Sequence, residues 1–71
     1  MDHVIEAMYP HYDVLLDWYI KEHRKGQYKK LSDNPYYEEI KALIDAMNIL
    51  RKYLGWDSIK LSEEVSWRLE G

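Results

Sequence analysis

The stretch that decides the fold is NPYYEEIKALIDAMNILRKYLGW, residues 34–56. Proline drives the preceding residue away from helical backbone angles, so Asn34 before Pro35 has the geometry of a helix N-cap. Gly55 is the residue type best suited to the left-handed conformation that ends many helices. The stretch therefore predicts a helix over about residues 35–54, called helix 2 here.

Helix 2 has more apolar surface than one packing partner covers. At 100° per residue, a core stripe gathers Tyr36, Ile40, Leu43, Met47, Leu50 and Leu54. Tyr37 lies at the margin of that stripe, so we interpret the tandem tyrosine as core packing rather than as a stacking platform for bases. A second stripe runs beside the first, and we predict it to be a protein interface: Ala42, Ala46, Ile49 and Tyr53.

What covers this second stripe is left open by the sequence. Either another helix of the same chain packs on it, or a second subunit does. The chain has 71 residues and no cysteine, and chains of this size bury only about 60% of their unfolded surface. Small domains of this kind usually need a disulfide, a metal or a partner subunit. These considerations favour a homodimer with a self-complementary interface.

Two further helices are predicted on either side of helix 2. In helix 1 an apolar residue recurs at steps of three and four: Ile5, Met8, Tyr12, Leu15 and Tyr19. Because proline inside a helix removes a hydrogen bond, we expect helix 1 to span about residues 10–25, preceded by a short turn or helix at 3–8. A single kinked helix is the alternative. Helix 3 is predicted over about residues 62–70, with Ser62 as its N-cap.

The predicted fold class is therefore all-α. One small domain, residues 1–71, forms an antiparallel helical hairpin plus a short C-terminal third helix, and dimerisation completes a bundle. No run of apolar residues has the length of a membrane span, and the acidic N-terminus lacks the features of a signal peptide. With the absence of cysteine, these observations predict a cytoplasmic protein.

Residues 21–30 carry the only concentration of positive charge. They hold five of the ten Lys and Arg residues and one acidic residue, a net charge of +4, which leaves −7 for the rest of the chain. A basic patch with an aromatic side chain suits contact with nucleic acid. The candidate contacts for this alternative function are Lys21, Arg24, Lys25, Tyr28, Lys29 and Lys30.

Catalytic and ligand-binding signatures are missing from the sequence. The three histidines lie in no metal-ligand spacing, no serine lies in a nucleophile motif, and no glycine-rich phosphate loop occurs. A chain this thin is also expected to lack a ligand pocket of about 300 Å³ or more. We predict a protein that is not an enzyme and has no cofactor, metal site or small-molecule substrate.

The function that remains is interaction with a protein. We predict a small interaction or regulatory protein that presents a helical surface to a protein partner, of the type common among bacterial and phage regulators and inhibitors. The nucleic-acid-associated factor is the alternative.

Overall fold

The computed structural model describes residues 2–26 and 28–70. They form three α-helices, α1 (Asp2–Gly26), α2 (Tyr37–Tyr53) and α3 (Leu61–Glu70), with a short 3₁₀ turn, Leu31–Asp33, before α2. No strand occurs in these two ranges. The all-α fold class with three helices is confirmed.

Helix α1 is continuous through Pro10, so the expected helix start at that residue is wrong. If the helix began at Pro10, residues 2–9 would no longer extend the apolar stripe of α1. Ile5 is completely buried, and burying one such side chain contributes about 1.5–3 kcal/mol. This gain is comparable to the cost of an interior proline, about 3 kcal/mol.

Helices α1 and α2 pack antiparallel. Near the end of α1, the ring of Trp18 lies 6.2 Å from the ring of Tyr36, just before α2. Near the start of α1, the Tyr9 hydroxyl accepts a hydrogen bond from Arg51 Nη1 at 2.6 Å, close to the end of α2. The core between them, joined by one residue of α3, contains Tyr12, Leu15, Leu16, Tyr19, Ile20, Ile40, Ile44, Met47 and Val65.

The C-terminal end of α2 follows the predicted capping chemistry, whereas its N-cap is Tyr36, without a side-chain capping bond, and not the predicted Asn34. Asn34 has extended backbone angles, and its Oδ1 accepts a hydrogen bond from the amide of Tyr36 at 2.9 Å. Regular α-helix begins at Tyr37, because the first turn is closed by a tighter bond from the Tyr37 amide to the Asn34 carbonyl. At the other end Gly55 has φ of 79°.

Helix α3 is attached through an irregular linker, residues 54–60. Asn48 of α2 donates a hydrogen bond to the carbonyl of Ile59 at 2.9 Å and accepts one from its amide at 2.7 Å. The helix starts at Leu61, one residue before the predicted cap Ser62, and the carbonyl of Lys60 accepts the first hydrogen bonds. Val65 is the α3 residue that enters the core. Within the described residues no helix combines the length and apolarity needed to cross a membrane.

Candidate functional site

The linker and α3 cover only one side of the α1–α2 hairpin. On α2, Asn48 lies on one flank of the buried positions and holds the linker. On α1, Tyr12 lies close enough to Glu64 of α3 for the carboxylate to influence its titration. Arg24 Nη2 also donates a hydrogen bond to the carbonyl of Arg68 at 2.7 Å. The opposite side of the hairpin receives no helix from the described part of the chain.

The second stripe of α2 lies on that uncovered side. Ile49 and Tyr53 are 72% and 76% exposed, and Ala42 and Ala46 are also exposed. Cover by α1 or α3, one of the two possibilities that the sequence leaves open, does not occur within residues 2–26 and 28–70. Large apolar side chains this exposed, in a contiguous stripe, typically mark an interaction surface.

Helix α1 adds a parallel stripe that the sequence reading missed. Val4, Ala7, Val14 and Trp18 are exposed and recur at helical spacing, with Trp18 51% exposed. His11, also exposed, interrupts their apolar pattern. The predicted helix break at Pro10 hid this stripe, because residues 4 and 7 belong to the same face as 14 and 18 only when α1 is continuous.

Trp18 of the α1 stripe contacts Tyr36, which begins the core stripe of α2, and Leu43 and Leu50 of that core stripe are half-buried. The exposed stripes of the two helices are together called the open face here. Its members are Val4, Ala7, Val14, Trp18, Ala42, Ala46, Ile49 and Tyr53.

The basic segment is largely engaged in contacts within the chain. Lys21 pairs with Asp17 at 3.0 Å, and the Tyr28 hydroxyl donates a hydrogen bond to Glu22 Oε1 at 2.8 Å, which raises the pKa of Tyr28. The Arg24 guanidinium donates its hydrogen bond to the Arg68 carbonyl of α3. Lys25, Lys29 and Lys30 are exposed, and Gln27 lies outside the described residues. The structure does not bring the six predicted contacts into one free basic surface.

A cleft of about 510 Å³ lies on the α3 side of the hairpin, between the 3₁₀ turn, α2 and the start of α3. The expectation that so thin a chain has no pocket of ligand size is therefore wrong. The cleft arises because the linker from Ile59 onward forms one wall and the 3₁₀ turn forms the other. The cleft is lined by Lys30, Leu31, Ser32, Tyr37, Lys41, Ile44, Asp45, Asn48, Ile59, Leu61 and Ser62.

Two buried tyrosines carry the largest electrostatic perturbations. Burial, and to a lesser degree Tyr37, raises the pKa of Tyr19 to about 12. Burial also raises the pKa of Tyr12, with the Glu64 carboxylate acting in the same direction. Among the described residues, no group of three or more His, Asp or Glu side chains is placed to hold a metal ion.

Comparison of the chain with protein-family models, with curated protein sequences and with solved structures finds no match.

Proposed function

We propose that the protein is a small non-enzymatic interaction or regulatory protein of the cytoplasm, and that its open face binds a protein partner. The observation that carries this proposal is the exposure of two parallel apolar stripes on the side of the hairpin away from α3. The first partner that we propose for this face is a second copy of the chain, which would complete the bundle.

The second stripe of α2 is self-complementary in the size of its side chains. When two copies of α2 pack antiparallel about a two-fold axis near Ala46, Ala42 of each copy lies opposite Ile49 of the other. Small residues opposite large ones let helix axes approach while keeping the interior filled, and a two-fold axis repeats each pairing twice. Exposed Ile49 then gains the burial that it lacks in the single chain.

Charge is complementary in the same arrangement. Glu38 and Lys52 lie on the same flank of the second stripe, and antiparallel packing brings Glu38 of one copy near Lys52 of the other at both ends. Asp45 lies beside the axis, but its carboxylate already pairs with Lys41 at 3.2 Å in each copy. The two Asp45 side chains therefore approach as neutralised pairs.

The area of the face agrees with a dimer only when both helices take part. Helix α2 alone offers a strip about 25 Å long and about 10 Å wide, whereas a stable interface buries about 800 Å² per partner. Adding the α1 stripe about doubles this area, to roughly 500 Å² per partner or about 1,000 Å² in total, which is the lower limit for a specific interface.

The test replaces Ala46 by glutamate. An uncompensated carboxylate at the two-fold axis is costly to bury, so we expect wild type to be a dimer and Ala46→Glu a monomer at about 100 µM, well above a micromolar dissociation constant. Light scattering on both proteins measures this. Lys60→Gln is the matched control, because it changes net charge by the same amount but lies exposed in the linker, away from the open face, and it should remain dimeric.

A strictly monomeric wild type at that concentration contradicts self-association. In that case the open face would remain as a surface for a different protein, and cross-linking in the native host with a photoreactive residue at Ile49 would identify it. Absence of both self-association and any cross-linked protein overturns the proposed function as a whole.

We rank the nucleic-acid alternative second, because the contacts of Lys21, Arg24 and Tyr28 within the chain reduce the free positive surface. Phosphate binding must weaken steeply with salt. Undetectable binding of mixed DNA and RNA at low salt removes this alternative, and loss of binding on reversing the charges of Lys25 and Lys29 would support it.

A further inference from the structure

Each wall of the cleft between the 3₁₀ turn and α3 is fixed by hydrogen bonds to a helix. The Tyr19 hydroxyl donates a hydrogen bond to the carbonyl of Leu31 at 2.8 Å, which anchors the 3₁₀ turn to α1. Both polar atoms of the Asn48 side chain are bonded to Ile59, which anchors the opposite wall to α2. The cleft is thus formed before any ligand arrives, as is usual for small-molecule sites.

The lining of the cleft is mixed, and four aliphatic side chains supply the apolar part of it. Ile44, at 4% exposure, lies at its base, and the half-buried side chains of Leu31, Ile59 and Leu61 line its sides. Its volume, about 510 Å³, falls in the range of pockets that enclose most of a small organic ligand. A fully polar ligand would leave these side chains without burial, so the lining selects a ligand with an apolar body.

The rim of the cleft is cationic on a chain that is acidic overall. Lys30 and Lys41 stand on the rim with Asp45, a net charge of +1, whereas the whole chain carries −3. Lys41 is paired with Asp45. Lys30 forms no ion pair with any residue in the part of the chain that the structure describes, so its ammonium is free to pair with a ligand. The hydroxyls of Ser32 and Ser62, also in the lining, can donate hydrogen bonds to the same anion.

From this combination we propose that the cleft binds a small amphipathic anion, with one carboxylate-like group at Lys30 and an apolar body against Ile44, Ile59 and Leu61. The site is separate from the open face, because Lys41 and Asn48 lie on the other flank of α2 from Ala42 and Ala46. Asp45 belongs to the cleft lining and also lies beside the proposed two-fold axis, so a dimer through the open face would approach one edge of the cleft.

Decanoate is the probe, with decylammonium and acetate as its controls. Decylammonium has the same chain with the opposite charge, and acetate has the charge without the chain. We expect decanoate to shift the backbone amide resonances of Ile44, Ile59 and Leu61 in a saturable NMR titration, and the two controls to bind at least tenfold more weakly. Naphthalene-2-carboxylate in a parallel titration separates a rigid aromatic body from a lipid-derived chain, and the tighter binder of the two indicates the source of the natural ligand.

The matched variants are Lys30→Glu and Lys29→Glu. Both residues are exposed, adjacent and equally charged, but only Lys30 lines the cleft. We expect Lys30→Glu to weaken decanoate binding about tenfold, the factor that one charge-assisted hydrogen bond contributes, and Lys29→Glu to change it by less than about twofold, the salt-screened effect of a distant charge. Equal effects of the two variants, shifts confined to residues outside the cleft, or decylammonium binding as tightly as decanoate would each overturn the proposal.

Discussion

Tyr12 and Tyr19 of helix α1 are nearly equally buried but differ in what their hydroxyl groups contact. The Tyr19 hydroxyl donates to the carbonyl of Leu31 at 2.8 Å. The Tyr12 hydroxyl is buried, and within the described residues it makes no hydrogen bond of acceptable geometry. Burial raises the pKa of Tyr12 most, and Glu64 raises it further by its charge and by a side-chain hydrogen-bonding interaction, but that contact lies outside regular hydrogen-bond geometry. An unsatisfied buried hydroxyl costs stability, whereas a bonded one contributes modestly.

Replacing each tyrosine by phenylalanine separates these two situations. We expect Tyr19→Phe to lower the free energy of unfolding by about 1 kcal/mol, because the hydrogen bond to Leu31 is lost. Tyr12→Phe should leave it unchanged or raise it by up to about 1 kcal/mol, because it removes an unsatisfied polar group without leaving a cavity. Urea unfolding at neutral pH measures both. A larger loss in Tyr12→Phe than in Tyr19→Phe would contradict this interpretation.

Helix α2 depends on one residue outside it for its N-terminal boundary. Asn34 is 2% exposed; its side-chain oxygen accepts from the Tyr36 amide, and its nitrogen donates to the carbonyl of Tyr19 at 2.9 Å. The same side chain therefore bonds the backbone just before α2 and ties it to α1, so its loss affects two elements.

We expect Asn34→Ala to lower the free energy of unfolding by about 1–3 kcal/mol. Two hydrogen bonds are lost, one to the Tyr36 amide and one to the Tyr19 carbonyl, and each contributes about 0.5–1.5 kcal/mol. Asp33→Ala is the control, since Asp33 is exposed and surface substitutions usually change stability by less than about 0.5 kcal/mol. Equal urea midpoints for the two variants would contradict the role of Asn34.

The C-terminal end of α2 could be predicted from sequence because it rests on local chemistry, the left-handed conformation of Gly55. The bond from Asn34 to the Tyr36 amide is also local, but the N-cap is Tyr36, because the chain makes a tight turn between these residues before the helix begins. The path of α1 through Pro10 could not be predicted in this way, because it depends on burial of Ile5 against other parts of the molecule. The second stripe on α2 was visible from sequence, but its partner stripe on α1 required the continuous helix.

The cleft could not be predicted from sequence either, because it also depends on contacts between residues that are far apart in the chain. Its two walls are residues 30–32 and 59–62, which are far apart in the chain, and their separation follows from the bonds of Tyr19 and Asn48. Neither the hydrophobic periodicity nor the spacing of motifs in the sequence indicates that these two segments face each other. A helical projection places Asn48 among charged residues of α2, and this pattern predicts a solvent-exposed side chain rather than one that holds the linker.

For the whole molecule, the buried tyrosines make stability depend on pH in the alkaline range. An unfolded tyrosine has a pKa of about 10, and Tyr19 in the folded chain has a pKa of about 12. Below pH 10 both states are protonated and the contribution to stability is complete. As the pH rises above 10 the unfolded chain loses its protons first, so the stability contribution is lost as the pH approaches 12.

We expect the urea midpoint to fall between pH 8 and pH 11, and to fall less steeply in Tyr19→Phe. Tyr53→Phe is the control, measured like the other two proteins at a dilution where the chain is monomeric, because Tyr53 is exposed in the single chain. This comparison removes the contribution of lysine titration, which all three proteins share. Parallel pH profiles for wild type and Tyr19→Phe would show that this tyrosine does not control alkaline unfolding.

The double hydrogen bond between Asn48 and Ile59 has a consequence for amide hydrogen exchange. Backbone amides in irregular segments normally exchange with solvent within the time of sample preparation, because no neighbouring carbonyl protects them. The amide of Ile59 is instead held by a side chain that belongs to a helix. It can exchange only when α2 releases the linker, so its exchange rate reports the opening of the linker, while the amides inside α2 report the unfolding of the helix itself.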